Sequence, residues 1–358
     1  VYTNADIAAE TRFVTIDKEL TLAGGYTTGN WDTPDPLANP TVFDAEGLGT
    51  VVHAETTGIT VTLSGLTLQR GSSYGIYMSN SRLLMMDSAV ISTTSSYGVV
   101  LSDSDGSLLQ DSRITGTSSY GLYATSSDDL VLSGNAVTGN GYYGIYLNSY
   151  NNRAILSHNT ITANGSGGLN VYRYNDNVTF EGNTISGNGG RGLYIYSSGN
   201  DYLTLARNTI AGNTGDGLYL YGGTGYVVDN NLITGNGGDG IRWYYGSGTL
   251  RHNTFSDNAS DSGLKVVSSA SLVLTNTIVA NQAYGIRTTS TSASVQADHT
   301  LWHNNGDDVA AYGGVNIATT NDLYGDPAFV GGADPFAAYH ISRGSAAIDA
   351  GVETGLST

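Results

Sequence analysis

The 358-residue chain has no cysteine. Disulfides, thiolate metal sites and cysteine nucleophiles are excluded together. Lysine is nearly absent, found only at Lys18 and Lys265, and Lys and Arg together number 14 against 31 Asp and Glu, for a net charge of −17. That balance argues against nucleic acid and against an anionic membrane surface as partners. No apolar run is long enough for a membrane-spanning helix. Proline is scarce at 5 residues and charged residues make up only 13%. The chain opens at Val1 with no recognisable leader, so a leader would have been removed or lie outside this sequence.

Glycine, asparagine and tyrosine fill the space, and they are periodic. A Gly followed by an aliphatic residue recurs at Gly75, Gly98, Gly121, Gly144, Gly168, Gly192, Gly217, Gly240, Gly263 and Gly285, at intervals of 22 to 25 residues. After each Gly, apolar side chains alternate with period two, as in Ile145 and Leu147 or Leu193 and Ile195, the signature of a strand. Two Asn columns keep the same beat. One runs Asn135, Asn159, Asn183, Asn208, Asn231, Asn253 and Asn276, flanked by apolar columns that include Val273 and Ile278. The other runs Asn140, Asn164, Asn188, Asn213, Asn236, Asn258, Asn281 and Asn304. Asn tolerates the left-handed backbone of a sharp turn, and stacked amides hydrogen-bond along an axis, so both columns read as structural ladders.

A unit of about 23 residues with three short apolar strands and Gly/Asn turns predicts an all-β fold, a three-sided parallel β-helix. Residues 1–72 read as N-terminal coils with a capping loop, 73–305 as regular repeats and 306–358 as a C-terminal segment covering the last coil, all one continuous domain.

These residues resemble the bacterial extracellular right-handed parallel β-helix repeat proteins. The resemblance is carried by the coil from Gly182 to Tyr196, by Leu20 to Tyr26 with Asn39 to Val52, and by the closing stretches Asp326 to Val330 and Tyr339 to Gly351. It implies an exported or cell-surface protein whose variable sorting anchor would lie beyond Thr358. The fold hosts lyases, hydrolases, adhesins and structural proteins alike.

Three candidate sites follow. Arg242, Lys265 and Arg287 each stand two residues after a marker Gly and form an outward basic ladder with Asp216 and Asp239 nearby. It suits an acidic sugar, yet no acidic cluster is evident in the same column. Asp103 and Asp105 offer a fragment of a calcium loop. The 25 tyrosines are not scattered. Tyr74, Tyr97, Tyr120 and Tyr143 precede the Gly. Tyr77, Tyr123, Tyr146, Tyr194 and Tyr219 lie two residues after it, and Tyr172, Tyr196, Tyr221 and Tyr244 four after it. A long, weakly charged Tyr strip suits ladder packing or a partner, either a polysaccharide or other copies of the chain. His158, His252 and His299 recur near the first Asn column, too far apart for a metal site. The reading favoured on these grounds is a non-enzymatic adhesin or a surface-layer, matrix or filament component. The rival is a polysaccharide lyase or glycoside hydrolase acting on an acidic polysaccharide near Arg242, Lys265 and Arg287.

Overall fold

The computed structural model describes residues 12–91, 97–197, 199–259, 261–314, 317–332 and 335–353. The chain is all-β, a three-sheet parallel solenoid of about 12 turns with about 23 residues per turn. Two compact units, Val1–Thr179 and Phe180–Thr358, are considered one at a time.

In the first unit every coil contributes one strand to each sheet. The first sheet runs from Arg12–Thr15 to Gly167–Arg173, the second from Leu20–Ala23 to Ile155–Ser157 and the third from Thr41–Asp44 to Thr160–Thr162. The pairings are parallel and in register, Ile145 opposite Leu169 and Leu132 opposite Leu156. Alternation sends Ile76, Val99, Leu122 and Ile145 inward, where each is at most 1% exposed. Burying an aliphatic side chain of this size contributes about 1.5–3 kcal/mol, so a column of them holds a stack that no single coil could.

The second unit repeats the plan. Its first sheet runs from Arg191–Ile195 to Asp307–Ala310, with Leu193, Leu218, Ile241, Leu264 and Ile286 all buried. Its interior also holds Trp243, Tyr226, Phe255 and Trp302. Residues after Gly306 go on to form strands Asp307–Ala310, Ile317–Thr320 and Leu323–Tyr324. The closing stretch then turns back along the outer side of the third sheet. Tyr339 donates its hydroxyl proton to Asp257 at 2.7 Å, and Asn276 binds the backbone of Val352 at 2.6 and 2.8 Å.

The marker Gly has a steric cause. A Cβ at Gly121 would stand 2.5 Å from the carbonyl oxygen of Gly144 and 2.7 Å from the Asn140 amide. The position faces the interior beside the next coil's backbone, and only a hydrogen fits.

The Asn columns are ladders of side-chain amides. Nδ2 of Asn140 donates to Oδ1 of Asn164 at 2.9 Å, and Asn188, Asn213, Asn236 and Asn258 are joined in the same way at 2.9–3.0 Å. These residues are buried and lack the left-handed backbone expected of them. The residue before each one carries it, as at Gly139, Ala163, Gly187 and Asp257. Asn281 and Asn304 occupy that preceding position, with φ of 55° and 50°. They are therefore displaced by one residue from the ladder, bonded to each other at 2.9 Å on the surface. Gln282 and Asn305 take the inward slots. Asn276 and His299 are shifted likewise, with Thr277 and Thr300 inside. Val273 is consequently 42% exposed while Leu274 is buried, and Val279 replaces Ile278 in the core. Asn suits both the ladder slot and the turn slot, so its identity alone does not set the register. A third ladder, Ser104, Ser127, Asn151 and Asn175, went unread in the sequence.

Candidate functional site

Two outward columns flank each marker Gly on the first sheet, one residue before it and two residues after. In the second unit they hold the charged residues Arg191, Asp216, Asp239, Arg242, Lys265 and Arg287, with Tyr194, Tyr219, Ser262 and Tyr284 in the other positions. Arg242, Lys265 and Arg287 lie side by side on successive strands. The carboxylates that answer them come from before the Gly. Nε of Arg242 donates to Asp239 at 2.8 Å, and its Nη2 lies 3.3 Å from Asp216. Nζ of Lys265 donates to Asp261 at 2.6 Å and lies 3.9 Å from Asp239. Nη1 of Arg287 donates to both oxygens of Asp261 at 2.7 Å. Cations and carboxylates thus alternate along the coils.

The expectation that the basic ladder lacks an acidic cluster is corrected by this arrangement. The sequence hid it because Asp261 precedes Gly263 by two residues, whereas Asp216 and Asp239 precede their Gly by one. Backbone groups pin the carboxylates: the N–H of Asp239 donates to Asp216 at 2.9 Å, and that of Ser262 donates to Asp239 at 3.0 Å.

Burial differs along the lattice. The Asp239 side chain is fully covered, Asp261 and Lys265 are 18% and 19% exposed, and Arg242 and Arg287 are 28% and 35% exposed. Burial raises the Asp239 carboxyl above the usual carboxylate range, against the pull of Arg242 and Lys265. At Asp261 burial pushes up too, but hydrogen bonds from Lys265 and Arg287 outweigh it and the net shift is downward. The Lys265 ammonium thus lies between two carboxyls that their surroundings push in opposite directions.

Tyrosines border this lattice. Tyr194 meets Tyr219 edge-on at 4.9 Å, Tyr219 lies 5.1 Å from Tyr244, and Tyr196 lies 5.6 Å from Tyr221. Tyr219 is only 8% exposed, and burial, then its hydrogen bond with Tyr244, raises its hydroxyl pKa. In the first unit the same columns are mostly tyrosine, interrupted by Val100, Gly167 and Asn170. Tyr97 stacks on Tyr120 at 5.2 Å and Tyr123 on Tyr146 at 5.6 Å, both pairs within 7° of parallel. Burial and neighbouring hydroxyls push Tyr120 up to about 12. Tyr172 carries the Arg173 guanidinium 4.4 Å over its ring. Rings in both units pack on neighbouring rings as a ladder, while Tyr196 remains 40% exposed.

Asp103 and Asp105 do not converge. Asp103 accepts from the Ser102 hydroxyl, and Asp105 accepts the N–H of Asp128 on the next coil at 2.8 Å. Among the described residues no group of three or more His, Asp or Glu is placed to hold a metal ion, and no helix is long and apolar enough to cross a membrane.

The family model described as the right handed beta helix region matches residues 50–204 and 195–331. The chain belongs to this family. No curated protein matches it. Among solved structures it is similar to the mannuronan C-5 epimerase AlgE6 A-module of Azotobacter vinelandii, at 17% identity and TM-score 0.56, covering 80% of this chain and 88% of that one. It is also similar to the periplasmic alginate epimerase AlgG, at 17% identity and TM-score 0.54, covering 76% and 73%. A third similar structure is the catalytic unit of a GH87 α-1,3-glucanase from Streptomyces thermodiastaticus strain HF3-3, at 14% identity and TM-score 0.57, covering 79% and 61%. At such identities the likeness carries the fold. The favoured expectation of a non-enzymatic adhesin or structural component is nevertheless corrected, because these neighbours are polysaccharide-modifying enzymes. The physical reason it misled is the hidden third carboxylate, without which the basic ladder read as a solvated face.

Proposed function

We propose that this β-helix modifies an acidic polysaccharide, with its reactive centre on the first sheet of the second unit. The observation that carries this reading is the alternating lattice of Asp216, Asp239 and Asp261 with Arg242, Lys265 and Arg287, half-buried on an open sheet face. A sugar carboxylate placed against Arg242 is neutralised, which acidifies the C–H bond beside it. The Asp261 carboxylate takes that proton, leaving an enediolate held by the same guanidinium. Reprotonation on the other face inverts the centre. Alternatively, departure of a protonated glycosidic oxygen leaves an unsaturated end. The Lys265 ammonium, hydrogen-bonded to Asp261 at 2.6 Å, is the group assigned to give the proton, to the inverted carbon or to the departing oxygen, and Asp261 then returns its proton to Lys265. The covered Asp239 and Asp216 act as positioning residues. The kinship in fold to epimerases of mannuronan and alginate supports an acidic sugar as the substrate, and the location of AlgG supports a site of action outside the cytoplasm.

The test incubates the protein with polymannuronate, alginate and polygalacturonate. Three readouts are followed: unsaturated ends by ultraviolet absorbance, C-5 composition by proton NMR and reducing ends by colorimetry. Turnover on at least one substrate is expected, falling by about 10²-fold or more in Lys265→Ala. Reducing ends without unsaturation would redirect the mechanism to hydrolysis. Absence of all three products across the panel would overturn the reading.

A further inference from the structure

Several cations of this protein are spent on acids: Arg70 on Asp44, Arg153 on Asp128 and Asp129, Arg207 on Glu181, and Arg251 on Asp229. Arg191 is different. It stands directly before Gly192, in the outward column that Asp216 and Asp239 occupy on later coils. Its guanidinium lies 4.1 Å from the centre of the Tyr219 ring and 4.4 Å from that of Tyr194. The nearest carboxylate oxygen, on Asp216, is 3.5 Å away. Asp216 also faces Arg242 at 3.3 Å and accepts the N–H of Asp239. The side chain of Arg191 is 33% exposed, and its guanidinium makes no side-chain hydrogen bond among the described residues.

Two aromatic rings thus fix the plane of the guanidinium, whose one carboxylate neighbour among the described residues, Asp216, is shared with Arg242. Rings hold a cation without using its donors, and a rigid guanidinium matches a planar carboxylate through two parallel hydrogen bonds, which a lysine ammonium does not. Counting Arg191, four cationic side chains stand along this strip with Asp216, Asp239, Asp261 and, at its far end, Asp307, so the strip is close to neutral on a chain of net charge −17.

We infer that Arg191 is a specificity-determining residue that reads the carboxylate of a second uronate. This sugar would sit two coils, roughly 10 Å at strand spacing, from the one held at Arg242. The inference rests on the proposed function and deepens it. The ligand class is a carboxylate-bearing oligosaccharide lying along the stacking direction, with at least two acidic sugars engaged at once. Tyr194 and Tyr219 act as positioning residues.

The experiment measures binding by calorimetry in the Lys265→Ala background, where substrate is not consumed, and steady-state kinetics in the otherwise native chain. The probes are a defined oligouronate, its carboxyl-reduced counterpart and a sulfated oligosaccharide of equal charge. Arg191→Ala is expected to weaken oligouronate binding at least tenfold and to raise KM. It should leave binding of the carboxyl-reduced probe unchanged, and Arg191→Lys should restore only a small part of the loss. Thermal melts of each variant identify any that fail to fold, and Arg191→Gln serves as the replacement. Oligouronate binding identical in Arg191→Ala and the parent overturns the inference even if turnover is robust. Arg191-dependent binding by a protein that turns over no acidic polysaccharide leaves the subsite standing while the enzymatic reading falls. Equal dependence on Arg191 for the sulfated probe overturns the assignment to carboxylate.

Discussion

The same two outward columns of the first sheet are written in two chemistries. In the first unit the position before the marker Gly reads Tyr74, Tyr97, Tyr120 and Tyr143, and the position two after it includes Tyr77, Tyr123 and Tyr146. In the second unit the corresponding positions read Arg191, Asp216 and Asp239, then Tyr194, Tyr219, Arg242, Lys265 and Arg287. The inward columns are aliphatic in both. The fold fixes where a side chain is displayed and leaves its chemistry free, so packing and reactivity are encoded in separate columns. Rings that stack on one another stabilise the coil stack through apolar contact. Charges that alternate cost desolvation and return it only when each has its partner.

The comparison is tested most severely by Asp239→Ala, which leaves Arg242 and Lys265 each short of an acidic contact and the Ser262 N–H without its acceptor. Chemical denaturation should show a loss of about 3–5 kcal/mol. A loss under 1 kcal/mol would mean that the lattice is no more tightly coupled than a surface ion pair. Tyr120→Ala should cost less, about 2–3 kcal/mol, because its ring meets those of Tyr97, Tyr123, Tyr142 and Tyr146 without any buried charge. Unlike the first loss, it should be insensitive to 1 M salt.

Acid titration is the gentlest probe. Asp44, in the first unit, is held at about 2 by hydrogen bonds from the Arg70 guanidinium, below its ordinary 3.8. A depressed carboxyl contributes stability that is present above pH 4 and lost as pH falls toward 2. Arg70→Ala should therefore flatten the acid limb of a stability profile by about 1–2 kcal/mol. Asp239 has the opposite sign. Its folded value is raised, so its contribution falls as pH rises from the ordinary carboxylate value through the folded one. A Asp239→Asn profile that kept this decline would refute the assignment.

The solenoid was legible in the sequence because stacking repeats the same physical demand once per coil, as Gly121 shows with its missing Cβ. Register was less legible. Asn281 and Asn304 satisfy the local rule for a turn as well as the rule for a ladder, and only the placement of Val279 and Trp302 inside resolves the choice. The basic ladder could be read from its spacing, but its acid partner Asp261 could not, because a carboxylate two residues upstream reaches the same point in space by a different backbone route. Arg191 was in plain view one residue before Gly192. Missing from the sequence was its cradle, since the approach of Tyr219 depends on where coils meet.

The amide ladders also carry a direction. Nδ2 and the backbone N–H of Asn213 both bond Oδ1 of Asn236, and those of Asn236 both bond Oδ1 of Asn258. Each rung therefore has its backbone N–H and one amide hydrogen accepted by the rung that follows in the chain, while its other amide hydrogen goes to a carbonyl of the coil before. A ribosome delivers the accepting rung last, so during synthesis the newest coil always ends in amide hydrogens waiting for oxygen. Growth of the stack is satisfied from behind, one coil late, and a stalled or shortened chain would expose one such row at its tip.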